Sequence, residues 1–146
     1  MSPDTLFQYS GPLVLLGWLA LTFAPFAARA TDVIAGLMIP AVLSLAYAAL
    51  ILVNWSTAPG GFGSLVEVMA LFTSPELALA GWIHYLAFDL FAGAWIARTA
   101  RAEHIPHLFV LPCLGLTFLF GPAGWLAFTA LRANAAARAR MTGAVA

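Results

Sequence analysis

Residues 81–98 read GWIHYLAFDLFAGAWIAR, and this stretch decides the class of the fold. It is apolar over most of the length that a helix needs to cross a bilayer, which is about 20 residues. His84 and Asp89 nevertheless lie in its interior, where a charged side chain costs at least about 2.5–3.5 kcal/mol on insertion scales. A histidine and a carboxylate kept at this cost indicate a helix that packs against other helices and carries a function.

The composition of the whole chain supports a membrane protein. Of its 146 residues, 63% are hydrophobic and only 8% are charged, with a mean hydropathy of +0.96. A typical soluble domain is about 25% charged, so this chain has too few charges to cover a surface that faces water. The formal net charge is zero, and there is no basic cluster of the kind that binds nucleic acid. A lipid bilayer is therefore the expected surrounding, and no nucleic-acid partner is expected.

Four apolar stretches predict four transmembrane helices, at residues 11–28, 32–55, 75–98 and 107–131. Ser74, Pro75 and Glu76 form a start signal for the third, with an N-cap serine, a proline at the first helical position and an acid in the first turn. Residues 64–72, which carry Glu67, are too few to span. The predicted fold class is all-α, an integral membrane bundle of four transmembrane helices with a short interfacial or re-entrant helix between the second and third. Residues 1–131 form this domain, and residues 132–146 form a short polar C-terminal tail.

The arginines leave the membrane orientation of a four-span bundle undecided. Its short connections on one side carry three of them, and the end of the fourth span carries three on the other. This balance gives the positive-inside rule nothing to act on. The sequence Gly121-Pro122-Ala123-Gly124 also interrupts the fourth span, and such a break survives in a membrane only where protein or a cavity satisfies the freed backbone groups.

Helical geometry sorts the polar groups of the third span. At about 100° per residue, Tyr85 and Asp89 share one stripe, whereas Glu76 and His84 lie on another. His84 and Asp89 are therefore expected to meet partners from neighbouring helices, and the candidates are Tyr47, Asn54, Glu67 and Thr117. Histidine and buried carboxyl groups transfer protons in enzymes, so the predicted catalytic residues are His84, Asp89 and Glu76. The alternative is structural: His84 donates to a backbone carbonyl and Asp89 bridges helices.

Aromatic side chains accompany these groups. Trp82, Tyr85, Phe88 and Phe91 are the predicted substrate-binding residues, lining an apolar groove between helices. The alternative is that most of these aromatics simply face lipid. His84, His104, His107 and the acids have the atoms that bind a metal ion, but no two histidines lie at positions i and i+4 on one helix. No metal ligands are therefore predicted, a bound metal ion is the less favoured alternative, and the cofactor is left open.

The stretch from Trp82 to Phe91, WIHYLAFDLF, resembles the signature of the abscisic-acid-deficient-four-like family. Phe120-Gly121-Pro122-Ala123-Gly124 resembles the Gly-Pro-x-Gly break in the last span of that family, and Leu71-Phe72, Pro75-Glu76 and Arg98 also fit its pattern. The resemblance extends from the first span to about Leu131. Plant members are associated with the formation of neoxanthin from violaxanthin, a reaction in which an epoxide opens and no atoms are lost.

This resemblance implies a membrane-embedded carotenoid isomerase, acting by polyene cis–trans isomerisation or by opening an epoxide. An apolar carotenoid-like ligand and a homo-oligomer are the expected partners. No transit peptide is recognisable, so we expect a bacterial inner-membrane location. Two alternatives stay open: a non-catalytic pigment-binding or accessory subunit of a larger membrane complex, and a small proton-linked transporter.

Overall fold

The computed structural model describes residues 2–143, with side chains to residue 137, and the regular structure in this part of the chain is helical. The predicted all-α class is therefore confirmed. In chain order the elements are α1 (Pro3–Thr22), α2 (Ala28–Val33), a π-helical turn (Ile34–Met38), α3 (Ile39–Asn54), a 3-10 turn (Trp55–Thr57), α4 (Leu65–Leu71), α5 (Pro75–Ala102), α6 (His107–Phe120) and α7 (Pro122–Gly143).

Three serines begin the helices that frame the molecule. The hydroxyl oxygens of Ser2, Ser64 and Ser74 accept hydrogen bonds from the backbone N–H groups three residues later, at 3.3, 3.2 and 3.4 Å. Such caps satisfy N–H groups that have no partner within the helix. The predicted start of the third helix, at Ser74-Pro75-Glu76, is thus confirmed.

Among the described residues, two helices are long and apolar enough to cross a membrane. Ala28–Thr57 has 30 residues and Pro75–Ala102 has 28, and the most apolar 18-residue windows of the two helices have mean hydropathies of 2.3 and 1.4. Only 22% of the most apolar window of the first is buried, so most of its apolar surface faces outward. The first predicted span is displaced: α1 covers 20 residues from Pro3 and ends at Thr22, because the chain turns between Phe23 and Phe26.

Helix α5 is the centre of the bundle. Helix α1 runs parallel to it, since Phe7 contacts Trp82 and Trp18 packs on Gly93. Helix α3 and the preceding turns run antiparallel to it. A Cβ atom at Gly93 would lie 2.8 Å from the Trp18 ring, so glycine is required there for the helices to approach. The largest fully buried side chains are Phe128, Leu21, Ile83, Leu90, Ile96, Val14, Val110 and Thr117.

The segment predicted as the fourth span is instead a helical hairpin. A continuous helix from His107 to Arg132 would be about 38 Å long, yet the Arg132 guanidinium donates to Glu103, just before α6. Phe128 packs edge-on against Trp95 at 5.9 Å between ring centroids. The chain therefore reverses at Gly121, and the prediction of a fourth span at residues 107–131 is wrong.

Pro122 explains where α6 ends, and the length of α6 explains how deep the hairpin reaches. Pro122 has no N–H, and its ring collides with the carbonyl group four residues earlier in a continuing helix, so α6 ends at Phe120. α6 has 14 residues and rises about 21 Å, less than the roughly 30 Å of a hydrocarbon core. The tip of the hairpin thus lies beside Asp89, halfway along α5.

The remaining sequence predictions concern short or terminal segments. The helix predicted between the second and third spans is α4, with seven residues. α7 continues across the predicted domain boundary at Leu131 and ends at Gly143. Residues 144–146 of the predicted tail lie outside the described residues.

The ion pair at the base of the hairpin should make its stability depend on pH. Hydrogen bonds from Arg132 lower the pKa of the Glu103 carboxyl group. A carboxyl whose pKa is lower in the folded state stabilises that state above the unfolded-state pKa, and this stabilisation is lost as the pH falls through the folded-state pKa. Glu103→Gln should therefore lower the melting temperature slightly at neutral pH and should flatten its fall toward acidic pH. Thermal unfolding in detergent, followed by circular dichroism, measures both; identical pH profiles for the two proteins would contradict this role of the pair.

Candidate functional site

An apolar groove lies between α3, the loop before α4, the end of α4 and the first half of α5. Its volume is about 230 Å³. His84 on α5 and Tyr47 on α3 supply polar atoms to a wall that is otherwise mostly aromatic and aliphatic. The other lining residues are Ile51, Trp55, Phe62, Leu71, Phe72, Leu77, Ala80 and Gly81. We call this space the His84 groove.

The imidazole of His84 contacts two aromatic rings, and the residue is itself exposed. It stacks on Phe88 with 4.6 Å between ring centroids, and its centroid lies 5.5 Å from that of Tyr47. The Phe88 contact follows from helical geometry, because side chains four residues apart lie one above the other. Among the described residues the ring nitrogens of His84 have no hydrogen-bond partner, so they are available to a molecule in the groove.

The loop before α4 closes one end of the groove. Phe62 stacks on Trp55 with 5.3 Å between ring centroids. The Glu67 carboxylate accepts a hydrogen bond of 3.0 Å from the Gly63 N–H, and a Cβ atom at Gly60 would overlap the Glu67 carbonyl oxygen. Glu67, one of the partners predicted for His84 and Asp89, thus holds this loop instead.

Tyr85 and Asp89 lie on another face of α5, against the tip of the α6–α7 hairpin. The Tyr85 hydroxyl donates toward the carbonyl oxygens of Phe118 and Leu119, at 3.3 and 3.4 Å. The Asp89 carboxylate packs directly on Gly121, where a Cβ atom would overlap Oδ1. Asp89 Oδ2 is buried and has no hydrogen-bond partner in residues 2–137.

The electrostatics of a broken helix account for this pair. The last carbonyl groups of α6 and the first N–H groups of α7 have no partner within their own helix, and the start of a helix carries a partial positive charge. α5 therefore presents a hydroxyl donor to the carbonyl end of α6 and a carboxylate to the N-terminal end of α7. This arrangement explains how an aspartate is accommodated in an apolar helix.

The predicted site residues thus fall on two faces of α5. His84 and Phe88 adjoin the His84 groove, and Phe88 and Phe91 line a neighbouring cavity of about 150 Å³. Trp82 and Tyr85 lie on the face toward α1 and the hairpin. The four aromatics predicted to bind substrate therefore do not line one groove, and their role in binding stays a prediction. The shared stripe of Tyr85 and Asp89 is confirmed.

Glu76 lies apart from both faces. Its carboxylate accepts a hydrogen bond of 2.9 Å from the Ser74 hydroxyl, at the start of α5 and eight residues before His84. That spacing corresponds to about 12 Å along the helix. Within residues 2–137 no group of three or more histidine, cysteine or acidic side chains is arranged to hold a metal ion.

Sequence reasoning missed most residues of the groove, including Trp55 and Phe62. The available signal was an aromatic residue surrounded by glycines, in Gly60-Gly61-Phe62-Gly63. Glycines on both sides leave a loop free to fold back over a neighbouring helix, which is how Phe62 reaches Trp55.

Comparison with known proteins gives one match. A family model described as ABA4-like, ABA DEFICIENT 4-like, matches residues 5–128. The matched range includes the His84 groove, the Tyr85–Asp89 pair and the tip of the hairpin. No curated protein and no solved structure matches the chain.

Proposed function

We propose, on the premise that this chain belongs to the ABA DEFICIENT 4-like family, that it is a membrane-embedded carotenoid isomerase whose reaction site is the His84 groove. Membership of this family is consistent with a carotenoid-related role. The observation that carries the proposal is the imidazole of His84, which combines free ring nitrogens with an apolar, aromatic surrounding.

The proposal includes a placement in the bilayer. In it α1, Ala28–Thr57 and α5 cross the membrane, and the α6–α7 hairpin enters from one side and returns to it. Backbone groups at a break inside a membrane must be satisfied by protein, and the Tyr85–Asp89 pair supplies polar groups to this break. The large apolar side chains exposed around the bundle, such as Leu45, Leu52 and Phe109, would face lipid.

The dimensions of the groove suit one end of a long apolar molecule. Its 230 Å³ is below the about 300–1,000 Å³ of pockets that enclose a drug-sized ligand. An end ring would lie beside Tyr47 and His84, and the polyene would follow α5 past Phe88 to the second cavity at Phe91. The path from His84 to Phe91 is about 10 Å along the helix. The rest of the molecule would stay in the surrounding lipid.

A proton transfer through His84 would isomerise a polyene with all atoms balanced. The imidazolium gives a proton to a polyene carbon, and the electron pair of the double bond at that carbon forms the new C–H bond. This double bond becomes a single bond, and the positive charge spreads over the rest of the polyene. The single bond rotates, and the neutral imidazole takes a proton back from the same carbon. The rings of Phe88 and Tyr47 would stabilise the cation through their π faces.

His84 could also open an epoxide, by giving its proton to an oxygen atom and then taking a proton from a different atom, a chain carbon. The imidazolium protonates the epoxide oxygen, which becomes a hydroxyl group as the C–O bond breaks. The neutral imidazole then removes a proton from an adjacent chain carbon, and the electron pair of that C–H bond forms the new double bond. General acid–base catalysis of this kind contributes about 10²–10⁴ in rate.

This proposal assigns different work to the three residues predicted to be catalytic. His84 transfers the proton. Asp89, with Tyr85, holds the tip of the hairpin, and Glu76 stabilises the start of α5 together with Ser74. The division rests on the contacts of each side chain.

A second candidate is a protein that binds a pigment without converting it. The observation in its favour is that the groove-lining residues include no carboxyl group beside His84. A catalytic histidine is commonly oriented by such a partner. In this case the aromatic walls would hold a carotenoid for another protein.

Expression in a carotenoid-producing bacterium tests the proposal. Cells that contain the protein in their membranes should accumulate a new carotenoid isomer at the expense of an existing pigment, with the summed amount unchanged, as measured by chromatography. An unchanged pigment profile, with the protein present in the membrane fraction, would overturn the isomerase. Pigment that co-purifies with the protein in its original isomeric form would favour the binding protein.

A further inference from the structure

The described arginines lie at one end of the bundle, because the hairpin returns Arg132 to the end where Arg29, Arg98 and Arg101 lie. α1 ends there, since the His107 ring bonds to the Thr22 carbonyl group at 3.1 Å. Arg101 pairs with Asp32, and Arg132 pairs with Glu103, at the same end. We call this the basic end; its described charged side chains are Arg29, Arg98, Arg101, Arg132, Asp32 and Glu103. The opposite end carries Asp4, Glu67 and Glu76, with no arginine or lysine among the described residues.

Within the basic end, Asp32 pairs with Arg101 and leaves Arg98 without a carboxylate among the described residues. Arg101 Nη2 lies 2.6 Å from both oxygens of Asp32, whereas its Nη1 is buried and has no hydrogen-bond partner in the described part of the chain. Arg98, one turn earlier on α5, has no carboxylate within ion-pair distance among residues 2–137. Positive charge is therefore left over between α2 and α5.

The π-helical turn gives Arg98 its position. Gly36 lies in this turn, and a Cβ atom there would be 3.3 Å from Arg98 Nη1 and 3.4 Å from the Ala94 methyl group. Such turns inside helices occur often at functional sites. The Arg98 guanidinium group thus packs close to Gly36, at the edge of the apolar part of α5, and its donors are left for an external acceptor.

We propose that the basic end binds the phosphate headgroups of anionic lipids, with Arg98 and Arg101 as the specific contact. Guanidinium groups suit phosphate because their planar donors match two oxygen atoms at once. The charge excess of the surface, four arginines against two carboxylates, favours an anionic partner over a zwitterionic one. The inference rests on the membrane placement proposed above and is independent of the reaction.

A consequence for membrane orientation follows. Basic residues next to membrane helices stay on the cytoplasmic side, where anionic lipids give the surface a negative potential. The basic end is then cytoplasmic, and the N-terminus, with Asp4, is on the other side. The hairpin returns Arg132 to the side of Arg29 and Arg98. The equal division of arginines between the two sides, expected for a four-span bundle, is therefore not found among the described residues.

Lipid competition tests the binding site. Purified protein in neutral detergent would be titrated with phosphatidylglycerol or phosphatidylcholine carrying brominated acyl chains, which quench tryptophan fluorescence on binding. Phosphatidylglycerol should bind more tightly, and Arg98→Gln should reduce its preference about fivefold, the contribution of one arginine near an anionic surface. Arg98→Lys keeps the charge but loses the planar pair of donors, so it should lose less of the preference than Arg98→Gln. Asp4→Asn at the opposite end should leave the preference unchanged.

Three outcomes would overturn the assignment. Equal affinities for the two lipids would remove the anionic site, and an equal loss in Arg98→Lys and Arg98→Gln would show damage to the fold instead of loss of charge. Inorganic phosphate that abolishes the preference, where chloride at the same ionic strength does not, would identify free phosphate as the ligand.

Cysteine labelling tests the orientation. In a Cys113→Ala background, Ser2→Cys should react with a membrane-impermeant maleimide in intact bacterial cells. Ala102→Cys should react only after the membrane is opened. The reverse pattern would overturn this inference alone, whereas loss of the protein from carbonate-washed membranes would overturn the membrane placement on which it rests.

Discussion

Replacing His84 with glutamine should lower the rate of carotenoid isomerisation by a factor of about 10²–10⁴, the usual contribution of a general acid–base group. Glutamine retains a polar amide in a similar volume but does not exchange a proton at neutral pH. His84 projects into a groove and has no hydrogen bond with the described residues, so its loss should leave the fold intact. The initial rate of isomer formation, with purified protein in lipid vesicles and the carotenoid in excess, measures the effect.

Asp89→Asn is the matched control, because Asp89 lies five residues later on the same helix but contacts the tip of the hairpin instead. The amide nearly preserves the shape of the carboxylate, so the variant should retain most of its turnover and lose some stability. If Asp89→Asn stops the reaction and His84→Gln does not, the reaction site lies at the hairpin tip and the assignment of the groove is wrong.

Replacing Gly121 with alanine should destabilise the protein by about 1–3 kcal/mol, the usual effect of overpacking. The added methyl group would overlap Asp89 Oδ1 and lie 2.9 Å from Cγ. Either the carboxylate leaves the N-terminal end of α7 or the hairpin moves away from α5. Thermal unfolding in detergent should show a clear fall in the melting temperature.

Gly115→Ala provides the comparison within the same hairpin. A Cβ atom at Gly115 meets nothing within 4 Å, and alanine is the better helix former, so this change should be neutral or slightly stabilising. The double variant Gly121→Ala with Asp89→Ala should recover part of the loss, because the two side chains compete for one space. Equal effects of alanine at the two glycines would contradict the packing of Asp89 against the tip.

The course of the last two helices shows where sequence reasoning fails. Residues 107–131 contain enough apolar residues for a span, and hydropathy counts these residues without regard to direction. Gly121-Pro122 marks a break, but a kinked helix and a reversed one share that signal. The reversal depends on contacts between distant residues, Glu103 with Arg132 and Asp89 with Gly121. The positive-inside rule failed for the same reason, since it needs the number of crossings first.

The candidate site was partly predictable. The spacing of Tyr85 and Asp89 places them on one stripe of a helix, and that much follows from the sequence alone. The wall opposite His84, however, comes from α3, the 3-10 turn, the loop before α4 and the end of α4. Positions on α5 carry no information about those elements. The sequence therefore predicts that a groove exists beside α5, but it does not identify the residues of the opposite wall.

Asp89 also changes how an ionisable residue in a membrane helix should be interpreted. Its high cost in hydrocarbon predicts a specific role, but that role need not be chemical. Here the carboxylate lies where a helix begins and its backbone dipole is positive. The imidazole on the other face, which lines a groove, is the better candidate for proton transfer.

The central claim is that the His84 groove converts carotenoid isomers catalytically, and multiple turnover tests it most directly. Purified protein in lipid vesicles would be incubated with a large molar excess of carotenoid, and the isomers would be separated by chromatography over time. Many carotenoid molecules should be converted for each protein molecule, until a final ratio of isomers is reached that does not depend on the amount of protein. Conversion that stops at one carotenoid molecule or fewer per protein would contradict it and identify a binding protein.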